Sequence, residues 1–362
     1  RDQPRSRGLG DVYKRQVDES RMLADPARYY KGGKPDLQLF DKKLYEVNPD
    51  DKVAIARAAA EEVLGKDERI ISVDSSYSDG EGSSYRLISN GFEGESKSTW
   101  FSVSASVSIK GEGEARPQDY WYDSALFYDK LTKTGIGAKA LERVLRKLGQ
   151  KKAKSGKYTM VVDPMNVGNL LSPMLSALYG SALQQKNSFL MDKLDAKVAS
   201  DLFTLRDEPH AIGANGSRYF DNEGVATEPR TVFDKGVLKT YFIDTYNGKK
   251  MNMAPTISTP SRLILVPGDK DLNGLVADVK QGILVTGFNG GNSNSSTGDF
   301  SYGIEGFLIE DGKLTQPVNE MNVTGNMVAL WNSLVAVGND PQPNRSWQIP
   351  SLVFEGVDFS GL

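Results

Sequence analysis

The 362-residue sequence has no cysteine and a single histidine, His210. Without cysteine there is no disulfide framework, no thiol nucleophile and no Cys-ligated zinc. A zinc site takes three or four His, Cys or carboxylate ligands, and this chain offers one imidazole. A Ser-His-Asp triad has only that residue to use. His210 stands in "RDEPHAIGANGS", a Pro- and Gly-rich stretch, and reads as a solvated or structural histidine. No run approaches the length of a membrane-spanning helix, so no membrane partner is expected. A basic excess is also missing: 44 Lys and Arg stand against 47 Asp and Glu, for a formal charge of -3. Without a basic stripe the chain is not expected to contact nucleic acid directly. The Gly- and Asn-rich "NGGNSNSSTGDFS" lacks the Lys-Ser/Thr ending of a phosphate loop.

What is present begins with an anomaly. Residues 1–16, "RDQPRSRGLGDVYKRQ", show neither helical nor strand periodicity. Asp11 to Gln16 back-translates to GAT-GTG-TAT-AAG-AGA-CAG, which resembles a transposon end used in sequencing libraries, and the preceding residues fit the same frame. The segment reads as a translated adaptor and is set aside from fold reasoning. Natural sequence is then expected from about Val17, with the true N-terminus missing. Removing the adaptor's surplus of positive charge leaves the remainder about six negative.

The length predicts two domains. After an irregular stretch containing "RYYKGGKPD", Asp50 or Asp51 is expected to cap a helix through "KVAIARAAAEEVLGK" to Gly65. "RIISVDSSYSDG" and "SYRLISNGFEG" read as two strands joined by a Gly/Ser turn. "FSVSASVSI" alternates apolar and serine residues, as a half-buried antiparallel strand does. "RPQDYWYDSALFYDKL" reads as an aromatic connection, and the first domain is placed at 17–126. The second, 127–362, opens with an amphipathic helix carrying Leu141, Val144, Leu145 and Leu148. A second helix contains Leu170, Leu171, Met174 and Leu175, and Ser172-Pro173 suggests that it starts there. Further on, hairpins are expected at "TVFDKGVLKTYFID" and at "GFLIEDGKLTQPV", where Asp311-Gly312 suits a primed turn. The expected class is α+β, mostly antiparallel sheets with a few amphipathic helices.

"SNGFEG", "SFLMDKL", "RYFDNEGVATEPRTVFDKGVLKTYFID", "LVPGD", "GILVTGF", "TGDFSYGIEGFLIEDG" and "VAVGND" occur in this order between residues 89 and 340. This ordered set resembles the TldD/PmbA family, and in detail its PmbA (TldE) branch, historically called modulators of DNA gyrase. The resemblance implies a subunit of a cytoplasmic, zinc-dependent, bacterial protease. It also implies that the two domains are the family's central and C-terminal domains, with a further N-terminal domain upstream. The catalytic branch carries His-Glu-x-x-x-His on a helix and a later cysteine. Aligned on Leu170-Leu171, this chain has Ser172 at the first His, Pro173 at the Glu and Ala177 at the second His; "DPQPNRSWQIPS" replaces the cysteine region. The resemblance therefore implies no metal ligand here, zinc on a TldD-like partner in a heterodimer (or a homodimer without it), and unfolded peptide as substrate.

Two alternatives stand beside that reading. One is a self-standing hydrolase using Asp221 and Glu223 of "FDNEG" or Asp299 of "TGDFS", since paired carboxylates can divide acid and base roles; within the subunit reading the same three are candidates for lining a substrate cavity. Acidic residues beside Gly also shape turns by bonding to their own backbone. The other is an adaptor that modulates DNA gyrase, which rests on the historical family label alone.

Overall fold

The computed structural model describes residues 22–362; the adaptor-like segment 1–16 lies outside them. In chain order the elements are α1 (Pro49–Glu61), β1 (Ile70–Ile88), β2 (Phe92–Ile109), β3 (Gln118–Ala125), α2 (Ile136–Leu145), β4 (Gly156–Val162), α3 (Gly168–Ser176), α4 (Gly180–Gln184), β5 (Leu205–Asp207), β6 (Arg230–Asp234), β7 (Val237–Leu238), α5 (Thr245–Met251), β8 (Leu263–Leu265), α6 (Leu272–Ala277), β9 (Gln281–Ser293), β10 (Asp299–Glu310), β11 (Lys313–Asn326), α7 (Met327–Asn332), β12 (Leu334–Val337), β13 (Trp347–Gln348) and β14 (Leu352–Ser360). The class is α+β, with antiparallel pairing throughout except β4–β9 and β8–β13.

β1, β2 and β3 form a long antiparallel sheet. The alternation expected in β2 is realised: Phe101, Val103, Ala105, Val107 and Ile109 are buried, and the intervening serines lie on the outer face. Beneath the sheet lie Ala59 of α1, Val63 in the turn that follows it, and Ile136, Ala140 and Val144 of α2. The sequence reading assigned α2 to the second unit, yet its stripe packs on β2 and β3. Its periodicity showed that one face must be buried, not against which sheet. Three other local expectations are corrected. Gly80 and Gly82 do not turn the chain, because β1 runs unbroken through both in register with β2, and Trp100 covers Gly80; the reversal comes at Ser89–Gly91. "QDYWYDSA" is strand β3, paired along β2, rather than a connection. Asn48 caps α1, its Oδ1 accepting from the Asp51 amide at 2.8 Å, with Pro49 at the first helical position.

The second unit is built on a closed ring of strands, β11-β10-β9-β4-β14, completed by pairing of β14 back to β11. β12 adds an edge to β14. One side of the ring packs on the main core, where Phe203 meets Phe233 and Trp331 at centroid distances of 4.7 and 4.4 Å, and Trp331 meets Phe354 edge-on at 5.6 Å. Val161, Leu284, Ile309 and Val353 turn the other way, against Leu275 and Val276 of α6. Asp311-Gly312 makes the expected primed turn, with φ of 47° and 74°. The third sheet, β13-β8-β5-β6-β7, lends Leu205, Phe233, Leu238, Leu263 and Leu265 to the same main core.

The tip of the β1–β2 hairpin is driven into the second unit. Phe92, 1 % exposed, packs on Tyr29 and Phe220 at 5.2 and 5.0 Å. At the opposite end Lys147 bridges Asp119 of β3 (3.2 Å) and Glu305 of β10 (2.7 Å). Among the described residues no helix is long and apolar enough to cross a membrane.

Candidate functional site

α3 is the helix on which the family resemblance places a metal site. It runs through Pro173 rather than starting there, so Ser172-Pro173 is not its N-cap. Leu170, Leu171, Met174 and Leu175 are buried in the main core, which holds the helix despite the missing amide of proline. Ser172 is exposed and Pro173 half-buried. Ala177 is 2 % exposed, and its carbonyl accepts from Ser188 Oγ at 2.6 Å. The three positions therefore carry a hydroxyl, a pyrrolidine ring and a packed methyl. Among the described residues no group of three or more His, Cys, Asp or Glu is placed to hold a metal.

The helix is led in by Asp163, which is 4 % exposed. Its Oδ1 accepts from the Asn166 amide at 3.0 Å and from Asn166 Nδ2 at 2.7 Å, and Nδ2 also donates to the Thr286 carbonyl of β9. Burial pushes the Asp163 carboxyl up to about 6, against the opposing pull of the Asn166 bonds and of Arg143.

The three carboxylates singled out in the sequence are dispersed among different tasks. Asp221 is buried; its Oδ1 accepts from the amides of Glu223 (2.8 Å) and Val225 (3.0 Å), and its Oδ2 from the Ser258 amide (3.0 Å). Glu223 reaches α5, where Oε2 accepts from the Thr245 amide and hydroxyl at 3.0 and 2.9 Å. Burial raises its carboxyl above the ordinary value, and the Thr245 bonds oppose this. Asp299 is on the surface, accepting from Asn326 Nδ2 (3.0 Å) and Thr297 Oγ1 (2.7 Å), which hold it below the usual carboxylate range. Each is thus engaged by nearby hydrogen-bond donors. Glu223→Gln keeps an acceptor for Thr245 and is expected to cost about 1 kcal/mol or less in urea unfolding. A loss well beyond that means that the charge itself holds α5.

His210 is structural in its contacts: Nε2 lies 3.0 Å from Thr227 Oγ1 and 3.3 Å from Lys34 Nζ. Burial and the Lys34 charge lower its pKa. Lys34 also bonds the Thr227 carbonyl and Glu228. These contacts anchor an extended strap, residues 34–41, between the two units. Farther along it, Gly213 N donates to Leu37 O (2.7 Å), Thr99 N to Leu39 O (3.0 Å), and Asp41 N to Thr99 Oγ1 (3.0 Å).

Three cavities adjoin this strap. One of about 430 Å³ lies between Phe40, Arg86, Lys97, Tyr219 and Phe220. The next, about 350 Å³, shares Leu39, Ser217 and Arg218 with it. The third, about 470 Å³, shares Leu126, Ala214 and Asn215 with the second. Such volumes suit small ligands. Of the three carboxylates singled out in the sequence, Asp221 is among the residues lining the first cavity, and Glu223 and Asp299 line none of the three; the rest of the lining comes from distant chain segments with no common motif.

Family models place the chain. The one described as PmbA/TldA metallopeptidase central domain matches residues 42–148, and the C-terminal domain model matches 155–361. The Metalloprotease PmbA homolog of Haemophilus influenzae is 30% identical over 332 residues, covering 90% of this chain and 73% of that protein. A crystal structure from Bacteroides thetaiotaomicron, named as a modulator of DNA gyrase, is 72% identical with a TM-score of 0.95, covering 97% of this chain and 81% of the other. A second with that description, from Thermotoga maritima, is 26% identical with a TM-score of 0.83, covering 92% and 79%. With both domain models matched in order on the α+β frame described above, the chain belongs to the TldD/PmbA metallopeptidase family.

Proposed function

We propose that this chain is a PmbA-type, non-catalytic subunit of a two-component zinc protease, pairing with a TldD-like paralogue and helping to hold unfolded peptide during proteolysis in the cytoplasm. The observation that carries the reading is α3. Hydrolysis by zinc needs neutral imidazoles or a thiolate for the metal and a base for its water. Ser172, Pro173 and the packed Ala177 supply none of these groups, while the surrounding helix and ring of strands are complete. The relatives named PmbA support the branch. Zinc is assigned to the partner, and no cofactor to this chain. The engagement of Asp221, Glu223 and Asp299 by neighbouring donors weighs against a self-standing carboxylate hydrolase.

The test is co-expression with a paralogue carrying His-Glu-x-x-x-His, then zinc analysis and hydrolysis of an unfolded peptide by each chain and by the pair. Activity is expected from the pair, with zinc following the paralogue. Metal-dependent cleavage by this chain alone overturns the proposal.

A further inference from the structure

The 470 Å³ cavity at the end of the cleft is lined by Lys130, Arg262 and Arg345 and by no carboxylate. Elsewhere the chain pairs its cations freely, as at Lys147 and Lys34. Here, among the described residues, none of the three side chains forms an ion pair. Arg262 Nε is buried with no hydrogen-bond partner. An unsatisfied buried donor costs about 1–3 kcal/mol, so this guanidinium stands under-paired in the wall of the chamber. The Arg345 guanidinium sits 4.7 Å over the Tyr122 ring, which steadies its plane without neutralising it. Burial lowers the pKa of both arginines, with Glu208 partly offsetting this at Arg262.

The fold explains why the charges meet. β13 pairs with β8 in parallel, Trp347 opposite Leu263, so the residues entering the two strands lie side by side and bring Arg345 next to Arg262. Lys130 arrives from the first unit, on the 3₁₀ turn after β3. The loop carrying Asn215 and Gly216 closes against both segments: Asn215 Nδ2 donates to the Asn344 carbonyl, and a Cβ at Gly216 (φ 87°) would meet Ser346 Cβ at 2.7 Å and the Ser261 carbonyl oxygen at 2.9 Å.

We infer that this chamber binds the C-terminal carboxylate of a short peptide, with the preceding residues running into the adjoining cavities beneath the strap. Arginine forks match a carboxylate in bidentate geometry. The chamber is too large for a bare anion. Its remaining lining fits a peptide: the carboxamides of Gln38, Asn215 and Gln348 add polar wall, with Gln348 Nε2 held by the Gln342 and Arg345 carbonyls and its oxygen left to accept, and Leu126, Phe127 and Ile212 supply apolar wall. The assignment deepens the peptide-holding role proposed above and rests on it.

The experiment is calorimetry on the full chain alone, with trialanine as free acid, trialanine as C-terminal amide, and inorganic phosphate. The free acid is expected to bind saturably at one site, with the amide at least about tenfold weaker. Arg345→Gln and Arg262→Gln are each expected to weaken the free acid about tenfold, and Lys130→Gln, on an exposed turn where folding is little affected, about threefold. Lys313→Gln, at the distant β10–β11 turn, leaves binding unchanged. Equal binding of acid and amide, absence of saturable binding, or no effect of Lys130→Gln overturns the inference. So does phosphate binding more tightly than the peptide, which makes the chamber a phosphate site. The readout is binding, not cleavage. A lost peptide site beside an active pair sinks this inference alone; an inactive pair beside acid-specific binding sinks the subunit role alone.

Discussion

Asp221→Ala is expected to lower the stability of the chain by about 3–5 kcal/mol, because three backbone amides lose a charged acceptor at once. The donors are Glu223, Val225 and Ser258, and Val225 is buried, so water cannot replace the carboxylate there. The damage extends past the loop. Gly224 backs directly onto the Phe92 ring at the hairpin tip, and Arg86 Nη1 donates to the Asn222 carbonyl at 2.7 Å. A loosened 221–225 turn therefore also weakens the seam between the two units. Asp221→Asn separates geometry from charge. Its Oδ1 still accepts from Glu223 and Val225, but its Nδ2 faces the Ser258 amide, donor against donor, and a smaller loss of about 1–2 kcal/mol is expected. Urea unfolding of the three proteins decides the matter. A wild-type melt for Asp221→Ala, coupled with loss of peptide cleavage by the assembled pair, returns this carboxylate to the list of reacting groups.

Features set by neighbouring residues were readable in the sequence. Asp311-Gly312 needs positive φ at both positions, which is a local demand, and the turn sits where expected. The alternation of β2 predicts its buried face because period two has one solution on a pleated sheet. The errors came where tertiary pairing decides. Gly80 and Gly82 punctuate the sequence, yet pairing with Trp100 and Ser98 carries β1 straight through them. Pro173 reads locally as a helix start, yet burial of Leu170 and Leu171 extends the helix ahead of it. Asp221 and Glu223 were visible as turn-forming acids beside glycine, but nothing local shows that one clamps Ser258 and the other caps Thr245. Arg262, Arg345 and Lys130 had no signature at all: their convergence depends on the parallel β8–β13 pair and on the placing of the first unit. The family resemblance fared better because it draws on many ordered segments spread along the chain.

Asp163→Asn is expected to change how stability depends on pH. In the folded chain the Asp163 carboxyl is raised to about 6 from an ordinary 3.8, chiefly by burial. The folded state therefore holds this proton more tightly than the unfolded chain does. The resulting stabilisation is complete below about pH 3.8 and is lost as pH rises through about 6. The gap corresponds to about 3 kcal/mol. Asparagine retains an Oδ1 acceptor for the Asn166 amide and Nδ2 and removes the titration. The stability of the variant relative to wild type is thus expected to rise by up to about 3 kcal/mol between pH 4 and pH 7. The comparison must be a difference between the two proteins at each pH. Asp207 and Glu223 are raised by burial and act in the same direction, whereas Asp67, Glu81 and Asp299 are lowered by hydrogen bonds and act in the opposite one. These contributions cancel in the difference, and Asp163 does not. A difference that stays flat from pH 4 to pH 7 means that Arg143 and the Asn166 bonds offset the burial of this carboxylate. Asp163 then holds the turn ahead of α3 as an ordinary charged acceptor for Asn166.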